Sequence, residues 1–454
     1  MVRDMKPVHQ GRTGNDQAAK RGRDGGARVP PTGPVTIHAR GHPNIRATHA
    51  NTFELTPDSS VTTSGTCIIG IDADWSEDAL LALRGAVRIN IRSGSIEETV
   101  GARINPTFIR GDPLVIRRHP DPQPRSLCIA AEKGSSALDR GLAEALRQPN
   151  ANLEVTLEML GAPGASDGAL FVIATPIGNP GDLSPRALAT LHSVDLIVAE
   201  DTRTTRALIG RGAPDMLSLH DHNERGRVAE VLRRLDTGAR VALVSEAGMP
   251  LISDPGFVLV RAAASKNYLI SPVPGPDAVT SALSISGLPT DDFRFIGFLP
   301  RKAGERRSAL SALRSASYST VFFEAPHRIL DALEALLEEI GDRRIAACRN
   351  MTKPGEEAIR GRASEVIAVL REREIIRGEF TVVVECAAAA PDTGLGDALL
   401  QMAESLVDAG VPTKTISAAL AKAAGASRRD MFSIVLGLKS AAADQDTAGS
   451  EDQD

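Results

Sequence analysis

The spacing of apolar residues changes twice along this chain of 454 residues. Between residues 35 and 160 apolar and polar positions often alternate, as in "AVRINIRS", which predicts strands that bury one face. From 169 to about 387, short apolar blocks such as "ALFVIA" and "FTVVVEC" alternate with segments of helical spacing, which predicts mostly parallel, buried strands between helices. From about 395 to 438 the spacing is helical throughout, with a turn at Gly425 and a cap at Ser427.

These changes predict an α/β fold with further domains at both ends. The α/β region divides near "SGLPTDDFRFIGFLPRK" into two halves, with a ligand cleft expected between them. All of its apolar strands follow residue 168, so we expect it to fold without the first 160 residues. The predicted parts are a disordered tail (1–34), a small α+β domain (35–160), a flexible linker (161–168), two α/β halves (169–287 and 288–390), a helix-turn-helix-like domain (395–438) and an acidic disordered tail (441–454).

Composition is that of an ordinary soluble protein and excludes several function classes. The net charge of −5 provides no overall basic field for nucleic acid, although it is compatible with a local basic surface. The four cysteines lack CxxC spacing, which favours a reducing compartment over a disulfide scaffold or a zinc site. No apolar run is long enough to predict a membrane span, and the N-terminus lacks the apolar core of a signal peptide. We therefore expect a cytoplasmic protein without a metal centre.

Four strand ends in the α/β region lead into turns rich in Gly, Pro or charged residues. The turns are "TPIGNPGD", "EDTRTTR", "SEAGMPLISDPG" and "PVPGPDAVTSALS". Ligands of open parallel sheets bind outside the carboxyl ends of the strands, so we expect the turns to meet at one crevice. The chain has no GxxxxGK[ST] and no HExxH, no GxGxxG after the first of these strands, and no GxSxG after any of them. Dinucleotide, P-loop, nucleophile-elbow and zinc-protease chemistry is therefore unsupported.

Three further segments carry side chains that suit catalysis or phosphate binding. His220 and His222 in "SLHDHNERGR" lack a third metal ligand nearby, so hydrogen bonding above a cleft is favoured over a metal site. "FFEAPHR" and "CRNMTKPGEE" place Glu324, Arg328 and Lys353 where a strand leads into a helix. That position suits either phosphate binding or a capped, solvated helix start. The terminal helices could hold nucleic acid, but a pair of this kind is more often a packing or dimerisation module.

Taken in order, these motifs resemble those of the ribosomal RNA small subunit methyltransferase I family. The resemblance covers about 169–387 and, less distinctly, the helical segment 395–438. It implies the tetrapyrrole-methylase-like fold of S-adenosylmethionine (SAM) enzymes, and 2′-O-methylation of a cytidine in 16S rRNA. Residues 35–160 resemble a small, mainly archaeal domain of unknown function, which implies no activity. The motifs that carry the family resemblance are "TPIGNPGDLSPRAL", "AEDTRTT", "LHDHNE", "VSEAGMPLISDPG", "PGPDAVTSAL", "GFLPRK", "FFEAPHRI" and "MTKPGEE".

The resemblance implies a SAM site in the cleft between the two α/β halves. It also implies that 16S rRNA or the small ribosomal subunit is the partner, with no membrane involved, and that the protein is a homodimer. The residues expected to contact SAM are Pro176, Gly178, Gly248, Met249, Pro250, Ile252, Ser253, Asp277, Ala278, Phe298 and Leu299.

On the substrate side, "AEDTR" and "LHDHN" are expected to face the RNA. We also predict a basic lip over the cleft that follows the RNA backbone. Its residues are Arg203, Arg206, His220, His222, Arg225, Arg227, Arg301, Lys302, Arg306 and Arg307. Candidates for the base that activates the ribose hydroxyl are His220 and His222, which titrate near neutral pH, and Lys353 if burial lowers its pKa. The expected substrate-binding residues are Glu200, Asp201, Arg203, Asp221, Asn223, Arg306, Arg307, Glu324 and Arg328.

Four positions in the inferred site differ from the family's usual residues. Glu246 and Met249 replace the Asp and Thr of "SDAGTPL", Asp277 replaces Ser or Cys, and Asn350 replaces the Glu of "RELTK". Two alternative functions therefore remain open. One is a small-molecule (tetrapyrrole-type) SAM methylase, whose usual GDP triplet is GMP in this chain. The other is a non-catalytic RNA-binding or assembly protein derived from the enzyme.

Overall fold

A computed structural model describes residues 33–220, 223–387 and 397–448. Almost all of the predicted N-terminal tail, together with Asp221 and His222, lies outside these residues. No described helix is both long and apolar enough to cross a membrane.

The first described region is a closed barrel with the strand order β1-β3-β2-β6-β7-β5-β4-β8. Alternating residues of its strands point inward, and Val87, Ile89 and Ile91 of β4 are fully buried. An eight-stranded barrel has an interior that side chains can fill, so these residues form its core. The strands are β1 Val35–Arg40, β2 Thr52–Leu55, β3 Ile68–Asp74, β4 Ala86–Ser93, β5 Ile96–Ile104, β6 Leu114–Arg117, β7 Ser126–Ile129 and β8 Asn152–Met159; the helices are α1 Glu77–Ala82 and α2 Arg140–Ala145.

The second region is a five-stranded parallel sheet with the order β11-β10-β12-β9-β13. Phe171 of β9 packs on one face with α3 and α4, and Leu170 packs on the other face with α5 and α6. The continuous apolar strands are therefore explained by burial on both faces. The strands are β9 Ala169–Ile173, β10 Leu196–Ala199, β11 Asp215–Ser218, β12 Arg240–Val244 and β13 Leu269–Val273; the helices are α3 Pro185–Ser193, α4 Thr202–Ile209, α5 Glu224–Asp236, α6 Phe257–Ser265 and α7 Ala278–Ser286.

The third region is a sheet with the order β14-β15-β18-β16-β17. Only the pair β14 and β15 is parallel, so the prediction of mostly parallel strands is wrong for this half. A short loop joins β16 to β17, and a connection that short can only produce an antiparallel pair. Helix α7 packs on this sheet and thereby joins the halves. The elements are β14 Phe293–Phe298, α8 Ala303–Ser311, β15 Ser319–Glu324, α9 Ile329–Ile340, β16 Arg344–Arg349, β17 Glu357–Arg362, α10 Ala363–Arg371 and β18 Phe380–Val384.

The last region consists of α11 Asp397–Asp408, α12 Thr413–Ala424 and α13 Arg428–Ala448, which share their own apolar core. Gly425 ends α12 in a left-handed conformation, and the Ser427 hydroxyl accepts a hydrogen bond from the Asp430 amide at 3.2 Å, as the sequence indicates. Residues 441–448 are helical, which corrects the prediction of a disordered tail there. Their alanine-rich sequence favours a helix more than their acidic charge opposes it. Residues 449–454 lie outside the described residues.

Residues 161–168, predicted to be a flexible linker, are packed against both neighbouring regions. Asp167 is buried, where its carboxylate pairs with Arg103 of the barrel and accepts a hydrogen bond from the Gly164 amide at 2.9 Å. Pro163 lies against Gly238, which precedes β12. The glycine-rich sequence therefore allows these residues to pack closely against both regions, instead of forming a flexible connection.

The barrel contacts the parallel sheet through two buried arginines. Arg84 of the barrel donates to both carboxylate oxygens of Asp195, at 2.8 and 3.1 Å, and to the carbonyl of Gly238. In return, Arg240 donates to the carbonyls of Leu81 and Asn105 in the barrel. Asp195 and Arg240 lie at the amino ends of β10 and β12. The barrel is thus docked at the end of the sheet opposite the turns that the sequence singles out.

Candidate functional site

A cavity of about 300 Å³ lies between the parallel sheet and the mixed sheet. Cavities of this size are in the range of small-molecule sites. One wall comes from the turns after β9, β12 and β13, and the other from the ends of β14, β15, β16 and β18. The cavity is lined by Ile177, Ala247, Gly248, Met249, Ile252, Ser253, Asp254, Asp277, Ala278, Phe298, Phe323, Glu324, Ala325, Pro326, Asn350, Met351, Glu379, Phe380 and Thr381.

Most residues predicted to contact SAM are brought together at this cavity. Gly248, Met249, Ile252, Ser253, Asp277, Ala278 and Phe298 all line it, as does Glu324, which was predicted on the substrate side. Pro176, Gly178, Pro250 and Leu299 flank these residues in sequence without lining the cavity.

The first turn contacts the opposite half of the α/β region. A side chain at Gly178 would collide with Lys353 and would approach the Thr352 hydroxyl to 2.7 Å. The Asn179 amide donates to that hydroxyl at 3.0 Å. Gly178 is therefore explained by close packing between the halves. Lys353 pairs with Glu379 at 2.6 Å and does not line the cavity.

The loop after β12 approaches the cavity in an unusual backbone conformation. Gly248 has φ +83°, and Leu251 and Ser253 also have positive φ. A pair of backbone hydrogen bonds between Gly248 and Thr175, at 2.9 and 3.0 Å, fixes the start of the loop. Its end is held by Glu224, whose carboxylate accepts the amides of Gly256 and Val258 at 3.1 and 3.0 Å. Glu224 was not predicted as a site residue. The one indication of its role is that Gly256, which precedes α6, has no side chain to cap the helix, so the cap must come from elsewhere.

The cavity lining is acidic. Its charged side chains are Asp254, Asp277, Glu324 and Glu379, and no Lys or Arg occurs among the described residues that line it. The Glu324 side chain is fully buried, and one oxygen accepts the Ala325 amide. The other, Oε2, lies 3.3 Å from Arg328 Nη2 but has no hydrogen-bond partner among the described residues. The lining can therefore accept hydrogen bonds from a cationic ligand.

Asp254 is the cavity carboxylate with a raised pKa. Burial raises the pKa of Asp254 to about 6, the negative charges of Glu200 and Glu246 contribute to the increase, and a hydrogen bond with Ser245 opposes it. The sequence places Asp254 in one of the four turns, but the spacing alone does not distinguish it from an ordinary loop acid.

The residues predicted to face RNA are distributed around the cavity. Asp201 caps α4 and pairs with the exposed Arg203, which lowers the pKa of Asp201 to about 2. His220 and Asn223 are joined side chain to side chain at 3.0 Å, and neither lines the cavity. Arg328 donates to the carbonyls of Leu299 and Pro300, an internal role that argues against the predicted phosphate contact.

Two residues of the predicted basic lip lie exposed at the protein surface. Lys302, at the start of α8, has a side chain that is four-fifths exposed and pairs with Glu305 at 2.9 Å. Arg307, on α8 itself, is also exposed and pairs with Glu338 at 3.4 Å.

Among the described residues, no group of His, Cys, Asp and Glu side chains is arranged to hold a metal ion.

Comparison with known proteins adds two family matches. Residues 169–367 match the model of the Tetrapyrrole (Corrin/Porphyrin) Methylases, and residues 37–160 match a domain of unknown function, DUF371. Ribosomal RNA small subunit methyltransferase I of Micromonospora olivasterospora is 42% identical over 276 residues, which cover 60% of this chain and 87% of that protein. The chain belongs to the ribosomal RNA small subunit methyltransferase I family.

The namesake protein of Escherichia coli O157:H7 is 39% identical over 275 residues, which cover 60% of this chain and 96% of that protein. The family fold is that of the tetrapyrrole methylases, as the sequence predicts. Among solved structures, a cobalt precorrin-4 methyltransferase is 17% identical, with a TM-score of 0.38, and covers 50% of this chain and 98% of its own.

Family members use SAM as the methyl donor, and the residues of the cavity suit this molecule. SAM carries a sulfonium and an ammonium group, and the lining offers carboxylates, including a Glu324 oxygen to which no described residue donates a hydrogen bond. The backbone at Gly248 also leaves room for close approach of a ligand. The structure therefore fits SAM in the place that the family resemblance implies.

Proposed function

We propose that this protein transfers a methyl group from SAM to the 2′-hydroxyl of a cytidine in 16S rRNA. The observation that carries the proposal is the acidic cavity between the two α/β halves, lined by turns that match the family's motifs. Bound there, SAM would supply an electrophilic methyl group to a hydroxyl held in line with it. Alignment of this kind accounts for up to roughly 7–11 kcal/mol of a reaction barrier.

The residues of the cavity have distinct roles in this proposal. The backbone around Gly248 and Met249 lies against the donor, and Glu324 faces its cationic groups. Phe298, which is more than half exposed and touches Phe323 edge to face at 5.6 Å, provides an aromatic surface at the cavity wall. The apolar wall also excludes water from the reacting groups.

The RNA would approach across the basic lip. Lys302 and Arg307 are exposed, and each pairs only with acidic side chains at the protein surface. Exposed pairs of this kind are weak and exchange readily for phosphate contacts. Arg203, nine-tenths exposed beside the end of β10, extends the positive charge along the parallel sheet.

The test is methyl transfer from labelled SAM to three acceptors in parallel: 30S subunits lacking the modification, naked 16S rRNA, and tetrapyrrole acceptors. We expect label in the RNA, recovered after nuclease digestion as 2′-O-methylcytidine. Label in the tetrapyrroles alone would favour the small-molecule methylase. SAM binding by calorimetry without transfer to any acceptor would leave only a non-catalytic role.

We also propose a cytoplasmic homodimer, on the strength of the family resemblance. Sedimentation equilibrium of the full chain should give twice the monomer mass of 47.9 kDa. A single species at the monomer mass would contradict this part of the proposal.

A further inference from the structure

Asp254 lines the cavity, and two further carboxylates lie close to it. Asp254 is half-buried and lines the cavity. Glu246 lies in the same loop after β12, and Glu200 directly follows the neighbouring strand β10. Both are close enough to affect the ionisation of Asp254. Glu324 lines the same cavity with a buried oxygen that has no hydrogen-bond partner among the described residues, so the acidic cluster coincides with a site built to receive a ligand.

We propose that Asp254 is the general base that takes the proton from the acceptor ribose hydroxyl, an inference that rests on the proposed function. The oxygen–methyl bond forms as the carbon–sulfur bond breaks, the electron pair of that bond stays on sulfur, and the hydroxyl proton moves to a carboxylate oxygen of Asp254. The step is neutral in electrons and needs no other reactant.

The geometry favours Asp254 over the bases that the sequence suggests. His220 bonds to Asn223 away from the cavity lining. Lys353 is paired with Glu379 and does not line the cavity. Glu324 already has a cation beside it, since Arg328 Nη2 lies 3.3 Å from its Oε2. Among the described residues no ion pair involves Asp254, so no cation competes for the proton-accepting oxygen.

Burial and then the neighbouring charges adjust Asp254 to this task. The groups that face it are Glu200, Glu246 and Ser245, and the carboxylates of Asp277, Glu324 and Glu379 share the cavity. Like charges disfavour a second ionised carboxylate, so they strengthen Asp254 as a base. Its pKa of about 6 leaves the carboxylate ionised at neutral pH while making it a far better proton acceptor than a solvated aspartate. Glu246 is one of the positions where this chain differs from the family.

Activity should fall at acid pH, because Asp254 accepts a proton only in its ionised form. A base must be deprotonated, so activity is present above the pKa of Asp254 and is lost as the pH falls through about 6. Replacement of Glu246 by Gln removes a like charge and lowers the pKa of Asp254. The acid limb of kcat/KM should then move to lower pH, an effect that a merely structural role of either residue would not produce.

The experiment compares wild type, Asp254→Asn, Asp254→Glu, Glu246→Gln and, as a distant control, Glu97→Gln, an exposed barrel residue. We expect Asp254→Asn to lower kcat on 30S subunits by about 100- to 10,000-fold, with SAM affinity by calorimetry within a few fold of wild type. Asp254→Glu should retain part of the activity. Glu97→Gln should leave both rate and acid limb unchanged.

A second readout needs neither SAM nor RNA. The infrared difference between wild type and Asp254→Asn isolates one carboxyl, which should titrate near 6 and at lower pH in the Glu246→Gln background. If Asp254→Asn fails to fold, the shift of the acid limb of kcat/KM in Glu246→Gln and the partial activity of Asp254→Glu carry the test. Full activity of Asp254→Asn, or an acid limb unmoved by Glu246→Gln, with ribose methylation by wild type intact, would overturn the inference and leave the proposed function standing. Base methylation by wild type would overturn both.

Discussion

Gly248 is the single residue on which SAM binding should depend most. It has φ +83°, and an added side chain would meet Ile177 at 3.3 Å in the cavity wall. The left-handed region costs an L-residue about 1–2 kcal/mol. We expect Gly248→Val to abolish SAM binding in calorimetry while thermal unfolding remains cooperative.

The control for this prediction is Gly425→Val. Gly425 has φ +66° in the left-handed conformation and no neighbouring atoms within 4 Å of an added side chain, so it carries the backbone strain without the cavity. This variant should lose a similar amount of stability and keep its SAM affinity. Unchanged SAM affinity in a folded Gly248→Val protein would exclude the loop after β12 from the donor site.

Two of the unusual residues in the site are explained by the backbone. Asp277 caps α7 by accepting the Thr280 amide at 2.7 Å, a role that Ser and Asp fill equally well. Asn350 has φ 52°, a conformation that Asn tolerates better than most residues, and it accepts the Glu379 amide at 3.2 Å. Sequence spacing located both positions, but the reason for their residue types lies in dihedral angles and caps that only the structure shows.

At the scale of elements, the direction of strands limits what the sequence predicts. All five residues of β18 are buried, so its apolar run contains no alternation that would indicate its neighbours or direction. It runs antiparallel to β15 and β16, which brings its amino end beside their carboxyl ends. Glu379, Phe380 and Thr381 therefore line the cavity. A prediction based on the ends of parallel strands finds the turns of the first half and misses this wall.

Helix α5 should affect the cavity through Glu224, whose carboxylate caps the start of α6. The Glu224 carboxylate satisfies two amides at the start of α6, and its removal would leave them buried and unpaired. We expect Glu224→Ala to lower the free energy of unfolding by about 1–3 kcal/mol and to weaken SAM binding by releasing the adjoining loop. Urea unfolding and calorimetry measure the two effects. Glu230→Ala, an exposed change on the same helix, should alter stability by no more than about 0.5 kcal/mol, and equal effects of the two variants would contradict the capping role.

At the scale of the whole molecule, positive charge is expected to act locally against an acidic total. Arg306 and Arg307 lie on α8 of the predicted lip. Their joint replacement by Ala should weaken rRNA binding, reduce its salt dependence by up to about one unit of slope per lost contact, and leave SAM affinity intact. A filter-binding titration across salt concentrations measures this. Arg88 and Arg92 of the barrel, both exposed, provide a control with the same charge change, and an equal loss in that variant would remove the lip from the proposal.

The arrangement of the barrel also bears on whether the α/β region folds alone, as the sequence predicts. Truncation before residue 166 would remove the Arg84 guanidinium beside the buried Asp195 and the two barrel carbonyls that accept from the buried Arg240. The parallel strands separate these residues from the cavity by about five residues at roughly 3.3 Å each. The barrel should therefore contribute to the stability of the methyltransferase without forming its SAM site.

Arg84→Met tests this docking within the full chain. The change leaves Asp195 buried without its cation, a loss that typically costs about 3–5 kcal/mol. Combining it with Asp195→Asn removes the uncompensated charge and keeps an acceptor for the Arg240 amide, so the double variant should regain much of the lost free energy of unfolding. Urea unfolding of the four proteins of this cycle measures the coupling, and SAM calorimetry should give the same affinity for all four. A cost below about 1 kcal/mol for Arg84→Met would mean that solvent reaches the contact, and that the barrel is tethered to the sheet instead of docked on it.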